Sequence, residues 1–271
     1  MSTMPLTGKA LRYARLSRHS DDRFLFIPLD HSLSDGPIAS AAGFNGLIRD
    51  IADGGADGIV VHKGRARTIE PTLLSHCALV IHLSASTAHA PDANAKVLVG
   101  DVDEAVRLGA DAVSMHVNIG SDTEAEQLAD LGTVAAACDR WSVPLMAMIY
   151  PRGPRVSDPA EPEMLAHAVN IAADLGADVV KTVLAAPAER MTEVVGSSPL
   201  PIVVAGGARK DGGLAQFART ALGVGCSGLA VGRRVFTSRK PRRAVEELAA
   251  IIHRPEAYSG PAPQPRLAGV L

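Results

Sequence analysis

The sequence has few of the features that mark a secreted or membrane-bound protein. Among its 271 residues are only three cysteines, Cys77, Cys138 and Cys226, which are widely spaced and form no CxxC pair. This argues against a disulfide framework or a zinc site and favours a reducing compartment. The N-terminus has no apolar signal segment, and no apolar run approaches about 18 residues. We therefore expect a soluble, cytoplasmic protein.

An excess of charge of one sign is also missing. Lys and Arg number 27 against 29 Asp and Glu, a formal net charge of -2. There is no electrostatic case for nucleic acid or an anionic membrane as a partner, so a basic site for a phosphate must be local. Hydrophobic residues, at 47% of the chain, are by contrast enough for a sizeable core. The length suits one large domain or two small ones.

Short apolar runs recur along the chain and alternate with helical segments such as residues 124–131 and 163–175. Near-continuous apolar strands that alternate with helices are typical of a parallel sheet covered on both faces. The predicted strands are residues 24–30, 58–62, 79–83, 111–117, 144–150, 178–184, 201–207 and 227–232.

The tripeptide Gly-Ala-Asp repeats at 55–57, 109–111 and 176–178, each time just before a predicted strand. Glycine suits the end of a helix, after which the next strand begins at once. Eight such β/α units in about 250 residues is the size of a TIM barrel. The alternative, an open doubly wound sheet, lacks a GxGxxG after the first strand.

We predict one (β/α)8 barrel over residues 1–253, with a short N-terminal extension, and a Pro/Ala-rich tail at 254–271. Residues 96–100 are a possible extra strand before a helix at 102–108.

Polar residues gather where the predicted strands end, which in this fold is the catalytic face. Asp30 ends the first strand, Tyr150 ends the fifth and Lys181 lies within the sixth. The seventh and eighth strands end in glycine followed by basic residues, in the segments AGGARK and VGRR. Core packing does not explain this clustering.

Lys181 lies in the apolar run DVVKTVL, where a buried lysine costs several kcal/mol unless it is paired or neutral. At a sheet edge its amine could reach water, but a closed barrel has no free edge. A salt bridge to Asp30 is a second alternative. We favour a desolvated, neutral amine that attacks a carbonyl and forms a Schiff base.

The other polar residues also have structural alternatives. Tyr150 is either a packed core tyrosine or a phenol that moves protons beside an iminium. Asp30 is alternatively an N-cap or turn residue before Ser34. The glycines either form tight turns or bind a phosphate, with charge from Arg209, Lys210, Arg233 and Arg234.

Three histidines, His62, His82 and His116, lie within predicted strands and lack a HExxH-type spacing. We interpret them as hydrogen-bonded barrel or rim residues and expect no metal site.

The segment PLDHSLSDGPI resembles the PMDHGVSxGP segment of the archaeal-type class I aldolases. SMHVNIGSDTEAEQLADLG and PLMAMIYPRG resemble segments of their relatives that make amino-dideoxy-heptulosonates. DVVKTVL, PIVVAGG and GLAVGRRVF follow in the family's order and spacing. The similarity covers nearly the whole chain up to about Ile252.

The resemblance implies that Lys181 is the Schiff-base lysine, Tyr150 the proton donor and acceptor, and Asp30 the acid/base of carbinolamine turnover. It also implies no metal or other cofactor, since the iminium supplies the activation, and a homo-oligomer, commonly a decamer. Either Arg152 or Arg155 could engage an acceptor carboxylate. The residues expected to contact the substrate or its phosphate are His31, Ser34, Arg152, Gly206, Gly207, Gly232 and Arg233.

The chain departs from the family at Ser32, where glycine is usual, and at residues 183–186, where a tyrosine and a Thr-Gly often follow the lysine. With the HVNIGSDTEAE segment, this favours the bacterial 2-amino-4,5-dihydroxy-6-oxo-7-(phosphooxy)heptanoate synthase branch. That branch condenses dihydroxyacetone phosphate with L-aspartate 4-semialdehyde on a route to 3-amino-4-hydroxybenzoate.

Three alternative functions stay open at this point. They are a fructose-bisphosphate aldolase, a transaldolase-type 2-amino-3,7-dideoxy-heptulosonate synthase, and a non-catalytic phosphate-binding regulatory barrel.

Overall fold

The chain forms a closed barrel of parallel strands surrounded by helices. The structure, a computed structural model, describes residues 7–206 and 213–253. The strands are β1 (Phe24–Pro28), β2 (Gly58–Val61), β3 (Ala78–His82), β4 (Ser84–Ala85), β5 (Val97–Leu98), β6 (Ala112–Ile119), β7 (Leu145–Pro151), β8 (Val179–Thr182), β9 (Ile202–Ala205) and β10 (Gly228–Ala230).

Helices connect the strands, as a barrel of β/α units requires. They are α1 (Gly8–Leu16), α2 (His31–Ser34), α3 (Phe44–Asp53), α4 (Lys63–Ala66), α5 (Val102–Arg107), α6 (Glu124–Trp141), α7 (Pro162–Asp174), α8 (Met191–Ser197), α9 (Leu214–Gly223), α10 (Arg233–Phe236) and α11 (Pro241–His253), with 3-10 turns at Pro71–Leu74 and Ala188–Arg190.

The barrel closes in the order β1, β2, β3, β6, β7, β8, β9, β10, with β10 paired to β1. All eight pairings are parallel. The predicted (β/α)8 barrel is thereby confirmed, and the open doubly wound sheet is excluded. The predicted tail at 254–271 lies outside the described residues.

A two-stranded hairpin interrupts the β/α alternation after β3. The predicted extra strand is confirmed as β5, and it pairs antiparallel with β4, Ser84 opposite Leu98 and Ala85 opposite Val97. The loop of this hairpin projects from the carboxyl end of β3, the end of the barrel where polar residues gather.

The three Gly-Ala-Asp segments fix the amino ends of neighbouring strands. Their glycines have φ of 95°, 81° and 90°, the left-handed region in which a side chain is strained. Each aspartate makes two hydrogen bonds with one leucine of the neighbouring strand. Its backbone N–H donates to the leucine carbonyl, and its carboxylate accepts the leucine N–H. The carboxylate contacts are Asp57 with Leu25 (2.7 Å), Asp111 with Leu79 (3.0 Å) and Asp178 with Leu145 (2.8 Å).

These aspartates each face a basic side chain at the bottom of the barrel. Arg15 of α1 lies 3.0 Å from Asp111, and Lys9 of the same helix lies 2.9 Å from Asp178. The partner of Asp57 is His253 at the end of α11, 3.0 Å away. The lysine and the arginine carry a positive charge near neutral pH, whereas the histidine can gain or lose a proton there.

The protein has two hydrophobic cores, one inside the barrel and one between the strands and the helices. Successive side chains of a strand point alternately into one and the other. In β1, Phe24 and Phe26 point into the barrel and pack with Leu16 of α1, whereas Leu25 and Ile27 face the helices. The three cysteines are all buried, and burial raises the pKa of Cys77 and Cys138 to about 12, so both stay protonated.

None of the helices described over residues 7–206 and 213–253 has the length and apolarity needed to cross a membrane.

Candidate active site

The carboxyl ends of the barrel strands surround a cavity of about 650 Å³. The structure brings most of the predicted site residues to its wall: Asp30, His31, Ser34, Tyr150, Arg152, Lys181, Gly206, Gly232 and Arg233. Gly207, Arg209 and Lys210 lie outside the described residues. Arg155 does not line the cavity, because its guanidinium donates to the Ser121 carbonyl at 2.8 Å and lies 3.4 Å from Asp122.

Lys181 points into the barrel from β8. Val179 is an interior residue and Val180 an exterior one, so the strand period directs the next side chain inward. Lys181 is 8% exposed, and its Nζ donates to the thioether of Met148 at 3.5 Å. Closure of the barrel removes the edge-strand alternative. No carboxylate of the described residues lies within 4 Å of this amine, so the predicted alternative of a salt bridge to Asp30 is not formed.

Asp30 follows β1 and precedes the short helix α2, but its side chain makes no capping hydrogen bond. Its Oδ1 lies 3.3 Å from Nδ1 of His31, without the alignment of a hydrogen bond, and its Oδ2 lies 4.0 Å from Nε2 of His82. Burial opposes ionisation, but the neighbouring His31, and next the attraction of His82 and Lys181 in their protonated forms, outweigh it. They hold the pKa of Asp30 well below its usual range, so this group is a carboxylate at neutral pH.

Histidines form the wall beside Asp30, and each is hydrogen-bonded, as predicted. Nδ1 of His82 lies 2.8 Å from Ser114 Oγ, and Nδ1 of His62 lies 3.1 Å from the His82 carbonyl. Nε2 of His116 lies 2.9 Å from Asn118 Oδ1.

The wall histidines are neutral near pH 7. Burial lowers the pKa of all three, that of His82 to about 4 and that of His116 well below its usual value. They can therefore exchange hydrogen bonds with a ligand without adding charge. Their positions within predicted strands placed them in the barrel or at its rim, but no motif assigned them to the site.

Tyr150 lies two residues beyond Met148 on β7 and shares its inward direction. It is only 5% exposed and still lines the cavity, so packing and a functional role are compatible. Its ring centre lies 4.9 Å from that of His116. The Arg152 guanidinium lies 4.5 Å from the Tyr150 ring centre, a cation–π contact at the cavity mouth.

The glycines after β9 and β10 are required by close packing. A Cβ on Gly232 would lie 2.6 Å from the Pro28 carbonyl oxygen and 2.7 Å from Cε1 of His31. A Cβ on Gly206 would lie 2.7 Å from the Val231 side chain. The Gly206 N–H already donates to the Ala230 carbonyl at 2.9 Å, so this amide is not a free phosphate donor.

Sequence reasoning missed the residues that the β4–β5 hairpin brings to the cavity. Lys96 lines it together with Ser86 and Asn94. Burial, and next the charge of Arg152, lower the pKa of Lys96. No motif marks this lysine, because only the path of the hairpin over the barrel mouth places it there.

Comparison with known proteins agrees with this geometry. Residues 24–238 match the DeoC/LacD family aldolase. The chain is 47% identical over 248 residues to the 2-amino-4,5-dihydroxy-6-oxo-7-(phosphonooxy)heptanoate synthase of Streptomyces griseus, covering 91% of this chain and 90% of that protein. It is 39% identical over 247 residues to the 2-amino-3,7-dideoxy-D-threo-hept-6-ulosonate synthase of Halobacterium salinarum, covering 91% and 92%.

Solved structures show the same relationship. The crystal structure of an archaeal fructose 1,6-bisphosphate aldolase has a TM-score of 0.81 and 25% identity, covering 90% of this chain and 99% of that one. Structures of reaction intermediates of a Schiff-base-forming fructose-1,6-bisphosphate aldolase give a TM-score of 0.79 at 25% identity, with the same coverage. The barrel is that of an aldolase. The chain belongs to the DeoC/LacD aldolase family and is a carbon–carbon lyase of the class I type.

Proposed function

We propose that this enzyme condenses dihydroxyacetone phosphate with L-aspartate 4-semialdehyde through a Schiff base on Lys181. The product would be 2-amino-4,5-dihydroxy-6-oxo-7-(phosphooxy)heptanoate. The observation that carries the proposal is the buried Lys181 amine, without a carboxylate within 4 Å among the described residues, in one cavity with Tyr150 and Asp30. The choice of substrates is supported by the 47% identity to the Streptomyces griseus synthase.

In the first half of the reaction, neutral Lys181 attacks the ketone carbon of the donor and forms a carbinolamine. Asp30, a carboxylate at neutral pH, moves a proton from the attacking nitrogen to the former ketone oxygen, and a second proton, given by the Tyr150 phenol, lets the resulting hydroxyl leave as water. The resulting iminium withdraws electrons from the adjacent carbon. This is the activation that a metal would otherwise provide, so the proposed mechanism needs no cofactor.

In the second half, the Tyr150 phenolate left by that step accepts the proton from the adjacent carbon, and the iminium becomes an enamine. The positive charge of Arg152, 4.5 Å from the ring centre, stabilises negative charge on the phenol while the proton is away. The enamine carbon then attacks the acceptor aldehyde and restores the iminium. The new alkoxide takes the proton back from Tyr150, and hydrolysis of the iminium releases the product and Lys181.

The donor phosphate is assigned to the side of the cavity formed by β9 and β10. Gly232 lines this side of the cavity, and Arg233 adds an exposed positive charge on the same wall. Assembly into a homo-oligomer and a cytoplasmic location stay predictions.

The test is a comparison of substrates on the purified enzyme. We expect product of the C7 mass from dihydroxyacetone phosphate and aspartate semialdehyde, and little cleavage of fructose 1,6-bisphosphate. Preferred cleavage of fructose 1,6-bisphosphate would instead identify a fructose-bisphosphate aldolase. Reaction only with a dideoxy sugar phosphate donor would identify the transaldolase-type synthase. Turnover unaffected by Lys181→Met would contradict the proposed mechanism.

A further inference from the structure

The loop of the β4–β5 hairpin is held firmly across the cavity mouth. The Asn94 carbonyl accepts two hydrogen bonds of 2.9 Å, from Asn118 and from the fully buried Gln127. On the other side, the Ala88 N–H donates to the Ser34 carbonyl at 3.0 Å. The loop thus joins the wall after β1 to the wall at β6, and a residue within it has a fixed position.

This loop places Lys96 in the cavity. Its Nζ donates to Ser86 Oγ, whose own hydroxyl donates to the Ala93 carbonyl at 2.7 Å. The amine is therefore directed by a short chain of hydrogen bonds within the loop. Hydroxyl and carbonyl groups orient a lysine in this way but do not neutralise its charge.

Lys96 and Arg152 are two cations that share this wall without carboxylate partners. Within residues 7–206 and 213–253, neither side chain lies within 4 Å of an acidic oxygen, whereas the half-buried Lys9 and Lys63 each do. The charge of Arg152 disfavours the charged form of Lys96. Two such cations facing one cavity repel each other, and an anion between them would relieve the repulsion.

Lys96 lies across the barrel mouth from the proposed donor phosphate side, and Arg152 lies next to Tyr150. Lys96 follows β3, and in the closed order β3 is four strands from β9 in either direction. Lys181 on β8 and Tyr150 on β7 lie between the two sides. A substrate with a reacting carbon in the middle and an anionic group at each end would fit this arrangement.

We propose that Lys96 and Arg152 form a binding site for the carboxylate of the acceptor aldehyde, and that Lys96 sets the preference for acceptors that carry one. The proposal rests on the proposed function, in which the acceptor is an amino-acid semialdehyde. The planar Arg152 fork can bind one carboxylate oxygen pair while Lys96 adds a third donor. The aldehyde carbon of a short acceptor then reaches the enamine beside Tyr150.

The test compares Lys96→Met with the wild type, Lys96→Arg and the exposed control Lys240→Met, using aspartate semialdehyde and the uncharged aldehyde butanal as acceptors. We expect Lys96→Met to raise the KM for aspartate semialdehyde by about 10- to 100-fold, as for loss of one hydrogen bond to a charged group, with a small effect on kcat. The KM for butanal is expected to change far less than that for aspartate semialdehyde. Lys96→Arg should recover most of the affinity.

Borohydride trapping with dihydroxyacetone phosphate alone separates this proposal from the proposed function. An adduct on Lys181 in the Lys96→Met variant, combined with the selective loss above, supports the acceptor site. An equal loss with both acceptors, or no loss, would overturn it while the adduct still forms. Absence of the adduct from the folded wild type would instead contradict the proposed function.

Discussion

Replacing His82 by asparagine tests the electrostatics of the cavity wall. Asparagine keeps a polar group near Nδ1, which contacts Ser114 Oγ at 2.8 Å, but it cannot take up a proton. Burial lowers the pKa of His82 to about 4 against the attraction of Asp30. The folded protein should therefore resist protonation of this ring.

The size of the effect follows from linkage. A histidine in the unfolded chain has a pKa of about 6.5. Between that value and about 4 the unfolded chain binds more protons at this site than the folded chain, so the contribution to stability is present above pH 6.5 and is lost as the pH falls. Integration from pH 7 to pH 5 gives a loss of about 2 kcal/mol in the unfolding free energy from this one group.

Urea unfolding of the wild type and the variant at both pH values measures this loss. Between pH 7 and pH 5, we expect the wild type to lose about 2 kcal/mol more of its unfolding free energy than the variant loses. The variant His76→Asn, at an exposed histidine, is the control for the substitution itself. An equal loss in both proteins, or a smaller loss in the wild type, would show that the attraction to Asp30 outweighs burial and would refute the reasoning.

Two further predictions concern the barrel ends. Gly232→Ala should raise the KM for the phosphorylated donor and cost about 1–3 kcal/mol of stability, since its Cβ would lie 2.6 Å from the Pro28 carbonyl oxygen. Steady-state kinetics and urea unfolding check this against Gly46→Ala, whose Cβ meets open space; equal behaviour of both variants would contradict it. At the other end, burial of His253 is outweighed by Asp57 and Asp21, which raise its pKa. His253→Gln should therefore lower the unfolding free energy most below pH 6.5, and the loss should shrink as the pH rises through the raised pKa of His253. Urea unfolding of the variant and the wild type at pH 6 and pH 9 measures this loss. A loss that is larger at pH 9 than at pH 6 would contradict the prediction.

The fold was predictable because its signals repeat. Each Gly-Ala-Asp places a left-handed glycine and a carboxylate that bonds to the neighbouring segment, and three copies at the same kind of junction indicate one repeated unit. The β4–β5 pairing was not predictable in the same way. Two residues in each strand are too few to show alternation, and only β5 left a trace in the sequence.

The site was partly predictable for a similar reason. Lys181 is conspicuous because a cation interrupts an apolar strand, and the barrel geometry then fixes its direction. Lys96 is not conspicuous, since a lysine in a polar loop is ordinary until the loop is known to cross the cavity mouth. Arg155 shows the converse, because its sequence neighbourhood resembles that of Arg152 but its guanidinium is bound to the loop that follows β6.

The most direct test of the account is to trap the intermediate and find the lysine that carries it. The enzyme would be incubated with dihydroxyacetone phosphate, reduced with borohydride and digested for mass spectrometry, with Lys181→Met as the matched variant. We predict one reduced adduct, on Lys181, and its loss from the variant. An adduct on Lys96, the other lysine of the cavity wall, or no adduct on folded protein, would contradict the central claim.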